Sequence, residues 1–140
     1  MTTPRLARLM RAVSAVKRAE MGRLGALIAE IARNRQEVDG LRRALWQAAP
    51  AQTVDQMRAT ASWQARLKRR IADAESEAAR LEAEAEAQRQ VLAKALGREI
   101  GVERLQDSAA RAARREAARR QDDTPPSSSS RPSAGSPGIA

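Results

Sequence analysis

Residues 41–67, LRRALWQAAPAQTVDQMRATASWQARL, separate two long stretches of helical hydrophobic periodicity. Large apolar residues recur three and four apart before this segment, stop at residues 48–51 and resume after it. Pro50 interrupts the pattern because a proline pushes the preceding residue away from helical geometry. Two long helices joined by a short turn are expected to fold back on each other, so the sequence predicts an antiparallel helical hairpin.

Composition supports a helical protein without a large core. Ala, Glu, Lys, Leu and Arg make up more than half of the 140 residues, which is typical of coiled coils and long helices. Many apolar positions are Ala, which has the highest helix propensity but buries little surface. We therefore predict an all-α fold, a coiled-coil hairpin that is marginally stable alone and gains stability from its partners.

The predicted helices have clear start signals. The first helix is predicted over residues 4–49, because Pro4 suits a first helical turn. The second is predicted over residues 54–121, because Thr53 and Gln56 fit a capping box. In that motif the Thr53 hydroxyl accepts the backbone N–H of Gln56, and the Gln56 side chain returns to the N–H of Thr53.

Three segments follow from these boundaries. Residues 50–53 form the predicted turn, and residues 1–121 form one hairpin domain. Residues 122–140, rich in Pro and Ser, cannot bury enough surface to order themselves and are predicted to be a disordered tail.

Each helix has a predicted apolar seam that faces the other helix. The seam of the first helix is Leu6, Leu9, Val13, Val16, Glu20, Leu24, Leu27, Ile31, Asn34, Val38, Leu41 and Leu45. The seam of the second is Met57, Thr60, Trp63, Leu67, Ile71, Ala74, Ala78, Leu81, Ala85, Gln88, Leu92 and Ala95. Two successive intervals of four around Glu20 predict a stutter in the first seam, and beyond Gly97 the second pattern degrades.

The register follows from the position of the turn. A turn centred near Ala51 places residues opposite each other when their numbers add up to about 102. Arg5 then lies beside Gly97, and the second helix extends about 24 residues, roughly 35 Å, beyond the first. The same register places the acidic residues of segment 73–86 against three basic residues of the first helix, Lys17, Arg18 and Arg23.

The net charge of +9 is the strongest indication of partner chemistry. Basic residues gather at the start of the first helix and at the end of the second, which an antiparallel hairpin brings to the same end of the molecule. That end is expected to attract an acidic or phosphate-bearing surface.

The two tryptophans lie at the other end, around the turn. Trp63 is on the predicted seam, where it either closes the end of the coiled coil or contacts a partner. Trp46 follows a seam residue and is expected to point partly outward. An exposed Trp close to Met57 is a plausible hot spot for a protein partner.

Several classes of chemistry are not expected. The chain has no Cys and no His, so it offers no disulfide framework, no zinc site and no histidine-based triad. The carboxylate-rich segment 73–86 is typical of a solvated helix face, and no glycine-rich phosphate loop is present. We predict no catalytic residues, metal, cofactor or small-molecule substrate, hence a protein that is not an enzyme.

The helical span resembles the FliJ family of flagellar export proteins and its YscO-type injectisome relatives. The likeness covers roughly residues 5–121. It is greatest in residues 58–122, which read RATASWQARLKRRIADAESEAARLEAEAEAQRQVLAKALGREIGVERLQDSAARAARREAARRQD. Here spaced Trp and Leu precede a basic cluster, an acidic coiled stretch and an end rich in Arg and Ala.

The resemblance implies a non-catalytic stalk of the type III protein export apparatus, located in the cytoplasm and peripheral to the inner membrane. Members of the family bind the hexameric export ATPase and the export gate, and assist export chaperones. On this chain the ATPase contact would be Arg5, Arg8, Arg11, Arg111, Arg114 and Arg115. The gate contact would be Leu45, Trp46, Met57 and Trp63.

Two other interpretations remain open at the level of sequence. A basic coiled coil can bind nucleic acid or an anionic membrane surface through phosphates. Nucleic acid is the less favoured partner, because both tryptophans, the only residues suited to stacking on bases, lie at the opposite end. A homodimeric coiled coil is the remaining structural possibility.

Overall fold

Two long α-helices make up the computed structural model, which describes residues 3–47, 49–124 and 138. Helix α1 comprises Pro4–Trp46 and helix α2 comprises Val54–Asp123, spanning about 65 Å and about 105 Å. The helices pack against each other in antiparallel orientation, and the described residues contain no β-strand. The predicted all-α hairpin with a longer second helix is confirmed.

The helix ends differ from prediction by two or three residues. Helix α1 begins at Pro4 as predicted, with Thr3 Oγ1 accepting the N–H of Leu6 at 3.3 Å. It ends at Trp46 rather than residue 49, because a proline ring collides with the carbonyl of the residue four positions earlier, which for Pro50 is Trp46. Helix α2 continues to Asp123, two residues further than predicted.

The predicted capping box is half confirmed. Thr53 Oγ1 accepts the N–H of Gln56 at 3.1 Å, and α2 begins at Val54. The reciprocal bond is not to Thr53, since Gln56 Oε1 accepts the N–H of Gln52 at 2.9 Å. Residues 125–137 and 139–140, most of the predicted tail, lie outside the described residues.

The core is narrow and small side chains dominate its α2 side. Ile31, Leu81 and Ala85 form its centre, with Leu24 and Leu27 packed against them. The other buried apolar residues are Val38, Leu41, Leu67, Ala74, Ala95 and Val102. No large side chain among the described residues is fully buried, so the hairpin gains limited free energy from burial.

The predicted stutter is wrong. Met10 and Lys17 are half-buried, whereas the predicted seam residues Leu9 and Val16 are 44% and 45% exposed. With Met10 and Lys17 in the seam, intervals of four and three alternate without interruption from Leu6 to Leu45, as in a regular heptad repeat. Buried or half-buried positions of α2 continue with the same alternation past residue 97, at Glu99, Val102, Gln106, Ala109 and Ala113.

The predicted register is also wrong. It places Lys68 opposite Asn34, but Asn34 Nδ2 donates to the carbonyl of Ala74 at 3.1 Å. Gln88 Nε2 donates to the carbonyl of Glu20 at 3.1 Å. Both contacts lie six residues along α2 from the predicted partner, and the ion pairs of Lys17 with Glu99 and of Arg35 with Glu82 lie 14 and 15 residues from it. The helices are therefore offset by about ten residues on average, or about 15 Å, from the predicted pairing.

The connection between the helices explains the offset. The connection lies alongside the first turns of α2. One open groove is lined by Ala49, Pro50 and Gln52 of the connection together with Gln56 and Thr60 of α2. An extended residue advances about 3.3 Å and a helical residue about 1.5 Å. A short extended connection therefore runs alongside roughly twice as many residues of α2 as it contains. Each residue of α1 consequently faces a later residue of α2 than equal counting predicts.

The overhang of α2 is consequently shorter than predicted. Half-buried residues of α2 extend to Ala113, and all residues from Arg114 to Thr124 are exposed. The unpaired end of α2 is Arg114–Asp123, about 15 Å long. Arg111 is exposed but lies within the paired length, contrary to the prediction that Gly97 marks its end.

Opposite charges do pair across the helices, but with different partners from those predicted. Arg35 binds Glu82 at 3.0 Å, and Arg42 binds Glu75. Of the three predicted basic partners of segment 73–86, Lys17 binds Glu99 and Arg23 binds Glu20. The acidic segment therefore helps to fix the antiparallel pairing near the turn, each exposed pair contributing less than about 1 kcal/mol.

Candidate functional site

The hairpin brings the six predicted ATPase contacts to one end, here called the basic pole. Its members are Arg5, Arg8, Arg11, Arg111, Arg114 and Arg115. All six are exposed, and none forms an ion pair with another described residue. Their common location follows from the antiparallel pairing, because the start of α1 lies beside the last paired turns of α2.

The carboxylates near the basic pole do not pair with its arginines. The first acidic residue of the chain is Glu20, so the beginning of α1 carries only positive charge. On α2, Glu103 and Asp107 form no ion pair with another described residue, and Glu116 lies 3.6 Å from Arg120. Guanidinium groups held on rigid helices can bind carboxylates or phosphates in a bidentate manner.

The predicted gate contacts lie at the other end, here called the tip, with members Leu45, Trp46, Met57 and Trp63. Trp46 is 85% exposed, Met57 is 57% exposed, and the adjacent Val54 is 65% exposed. The predicted outward orientation of Trp46 is confirmed. Exposed aromatic and thioether side chains next to a turn can insert into a pocket on a partner protein.

The other two tip residues contribute to packing. Leu45 is half-buried in the seam, and Trp63 is half-buried in a groove that it lines with Gln47, Ala49, Ala59 and Thr60. Trp63 therefore supports the connection, and the accessible surface of the tip consists mainly of Trp46, Val54 and Met57.

Polar residues interrupt the seam between the two ends. Lys17 Nζ donates to Glu99 Oε1 at 2.9 Å, and Glu20 accepts hydrogen bonds from Gln88 and from Arg23, the latter at 3.1 Å. Asn34 donates to the carbonyl of Ala74. Because each contact joins particular residues of α1 and α2, shifting the register by one heptad would leave several buried polar groups without partners.

The Lys17–Glu99 contact shifts the pKa of the Glu99 carboxyl. The hydrogen bond from the Lys17 ammonium lowers the pKa of the Glu99 carboxyl below its ordinary value, with smaller favourable contributions from Ser14 and Arg18, while desolvation opposes the shift. Glu99 Oε2 is buried without a hydrogen-bond partner among the described residues. Because the contact joins α1 to α2, it serves packing and register.

Sequence reasoning placed Glu20 and Gln88 in the seams but missed the seam contact between Lys17 and Glu99. It assigned Leu9 and Val16 to the seam because they are larger and more apolar than their neighbours. Strict alternation of three and four counted back from Leu45 would have selected Lys17 and Met10 instead.

Two kinds of feature are absent from the described residues. No helix among residues 3–47 and 49–124 combines the length and apolarity needed to cross a membrane. Within the same residues, no group of three or more carboxylates is placed to hold a metal ion. The grooves found between the helices are open to solvent.

Comparison with known proteins identifies no matching family model, no similar curated protein and no similar solved structure. The two chemically distinct ends of the hairpin are therefore the basis for a functional proposal, together with the resemblance described above.

Proposed function

We propose that this chain is a non-catalytic stalk and coupling protein of the type III export apparatus. In this proposal the basic pole binds the hexameric export ATPase, and the tip contacts the export gate at the cytoplasmic face of the inner membrane. Assistance to export chaperones belongs to the same proposal. A rod about 105 Å long, with different chemistry at each end, suits a protein that connects two partners.

The basic pole carries the proposal. Six exposed arginines from the start of α1 and the end of α2 converge there, and none is paired with another described residue. Part of this set, Arg114 and Arg115, is on the unpaired end of α2, where a ring of subunits could surround a single helix. Carboxylates lining such a ring would match the pole and speed association through long-range attraction.

The test is to mix the purified chain with the export ATPase and to measure hexamer formation and ATP turnover. We expect the chain to promote hexamers and to increase turnover. If neither quantity changes over a range of chain concentrations, the proposed stalk function is wrong.

Charge-reversal variants locate the contact. Arg111→Glu, Arg114→Glu and Arg115→Glu together should weaken ATPase binding about tenfold or more while the helical content remains unchanged, because these side chains are exposed. The matched control reverses the same number of exposed arginines near the tip, Arg66, Arg69 and Arg70, and should retain ATPase binding. Equal losses in both triple variants would indicate a nonspecific effect of net charge.

A second candidate function uses the same arginines. Unpaired guanidinium groups on rigid helices also bind phosphates of nucleic acid or of an anionic membrane. Titrations with duplex DNA and with vesicles containing acidic lipids, at several salt concentrations, would test it. A steep loss of affinity with rising salt, in a chain that does not affect the ATPase, would favour this alternative.

A further inference from the structure

Large apolar side chains are exposed on both sides of the hairpin. Met21, Ile28 and Leu96 lie on the side of the Arg35–Glu82 pair, and a second group lies on the other side, next to the basic pole. Leu9 and Val16 on α1, and Val91 and Leu105 on α2, are 44%, 45%, 44% and 55% exposed. Residues seven or fourteen apart lie on the same side of a coiled-coil helix, so each pair forms a stripe along its helix. These four residues are here called the apolar flank.

The two stripes border a single groove. Val16 lines it together with Arg98, which lies seven residues after Val91 and seven before Leu105. Its remaining lining residues are small or apolar, namely Ala12, Val13 and Ala95. Val91 and Leu105, which mark the ends of the α2 stripe, are about 21 Å apart along the helix, the length of about four helical turns, and the groove lies between them.

The same side of the hairpin is charged near the tip. Continuing the sevenfold spacing from Val91 toward the tip reaches Glu84, Glu77 and Arg70, and from Val16 it reaches Arg23 and Glu30. An isolated hairpin needs charged flanks to remain solvated. The change to apolar residues near the pole therefore indicates a surface that a partner covers.

Basic residues surround the apolar flank. Arg5, Lys94 and Arg98 are exposed, and none of them forms an ion pair with another described residue. A second copy of the chain would bring the same positive charges together, at a net charge of +9 for each chain. A partner helix with an apolar stripe bordered by Asp or Glu would pack the stripe into the groove and pair its carboxylates with the surrounding basic residues.

We propose that the apolar flank binds one amphipathic helix with acidic borders, about four turns long, which converts this half of the hairpin into a three-helix bundle. The inference does not rest on the proposed export function, because the flank lies on the side of the rod, whereas the arginines tested above lie at its end.

The probe is a synthetic peptide of three heptads, which covers the four turns of the flank with about one turn to spare at each end. It has Leu at the two seam positions, Glu at the two flanking positions and Ala elsewhere. Its binding to the full chain is measured by fluorescence anisotropy. We expect saturable binding, at least about tenfold tighter than that of the same peptide with Lys in place of Glu. Absence of binding at about 100 µM, or equal binding of the Lys peptide, overturns the proposal.

Variants separate the flank from the rest of the surface. Val16→Glu with Val91→Glu should weaken peptide binding about tenfold or more. The matched control, Met21→Glu with Leu96→Glu, changes two equally exposed apolar residues that continue the spacing of Arg35 and Glu82 on the opposite side, and should bind normally. Undiminished binding by the first pair overturns the proposal.

Two further measurements complete the test. Leu105→Ser keeps the proposal falsifiable if the double variant loses its helical content, and it should also weaken binding. The charge-reversed variant at positions 111, 114 and 115 should retain peptide binding even if it fails to bind the ATPase. A wild-type dimer in sedimentation equilibrium that Val16→Glu with Val91→Glu converts to a monomer would show that a second copy occupies the flank, and would overturn the acidic-helix proposal.

Discussion

Replacing Asn34 by Leu is expected to stabilise the hairpin and to relax its register. Asn34 is 8% exposed and makes one hydrogen bond, from Nδ2 to the carbonyl of Ala74, while its Oδ1 is buried without a partner among the described residues. An unsatisfied buried acceptor costs about 1–3 kcal/mol, and the lost hydrogen bond is worth about 1 kcal/mol. Leu also gains about 1 kcal/mol by filling the open groove beside Val38 and Ala78. The net gain in unfolding free energy is about 1–3 kcal/mol.

The assay is urea denaturation followed by circular dichroism, with Asn34→Ala as the control that removes the same acceptor without adding apolar surface. Register is measured separately by cross-linking cysteines introduced at Arg35 and Glu82, whose side chains are in contact. The chain has no native cysteine, so the reaction is specific. A loss of more than about 1 kcal/mol in Asn34→Leu, with cross-linking unchanged, would refute the reasoning, because it would mean that solvent satisfies Oδ1.

The remaining predictions concern single features of the hairpin. Gly40→Ala should raise the unfolding free energy by about 1 kcal/mol, because an added Cβ meets no atom within 4 Å and Ala has the better helix propensity; a lower urea midpoint would contradict this. Glu99 has a lowered pKa in the folded state, so its stabilising contribution is present above its ordinary pKa near 4.5 and is lost as pH falls through the folded value. The stability difference between wild type and Glu99→Gln, measured by urea denaturation, should therefore shrink as the pH is lowered, and a constant difference would exclude the Lys17 contact as its cause. Trp46→Ala should change stability by less than about 0.5 kcal/mol, since the side chain is 85% exposed, and a large drop in melting temperature would show that it is part of the core.

The half of the seam near the tip could be predicted from sequence except for Met57, which is exposed, whereas in the half near the pole the α1 seam was predicted at Leu6, Val13 and Glu20 only. Near the tip, Ile31, Val38 and Leu41 recur at helical spacing, and each has a charged residue directly beside it. Near the pole, Leu9 and Val16 compete with Met10 and Lys17 for the same seam positions. Hydrophobicity alone favours the wrong pair, and the decision depends on Glu99 of the other helix, which accepts the Lys17 ammonium.

The register was beyond local sequence reasoning for a different reason. Counting residues from the turn assumes that every residue advances the chain equally, but extended and helical residues differ about twofold in rise. Pro50 identifies where α1 cannot continue and leaves open how far the connection runs along α2. The observed positions of Arg111 and Trp63 differ from the predicted ones for this reason. Arg111 is beside α1 instead of beyond it, and Trp63 supports the connection.

The convergence of the basic residues was predictable because it depends only on antiparallel topology. Any register that pairs the start of α1 with the later part of α2 places Arg5 and Arg114 at the same end. What the sequence did not reveal is that Leu9 and Val16 are exposed there, because that depends on which residues occupy the seam.

The distribution of polar and apolar contacts gives the two halves of the hairpin different requirements. Near the tip, Arg35–Glu82 and Arg42–Glu75 border a seam whose α1 side is apolar apart from Asn34, so the two helices bury most of each other's apolar surface. Near the pole, Lys17 and Glu20 occupy seam positions. The apolar residues that would otherwise strengthen that seam face outward. The side of α2 that packs against α1 is largely alanine. The half of the hairpin near the pole buries the least apolar surface and exposes the most. A third helix bound at the apolar flank would supply the missing burial, so the weaker half is also the half suited to assembly.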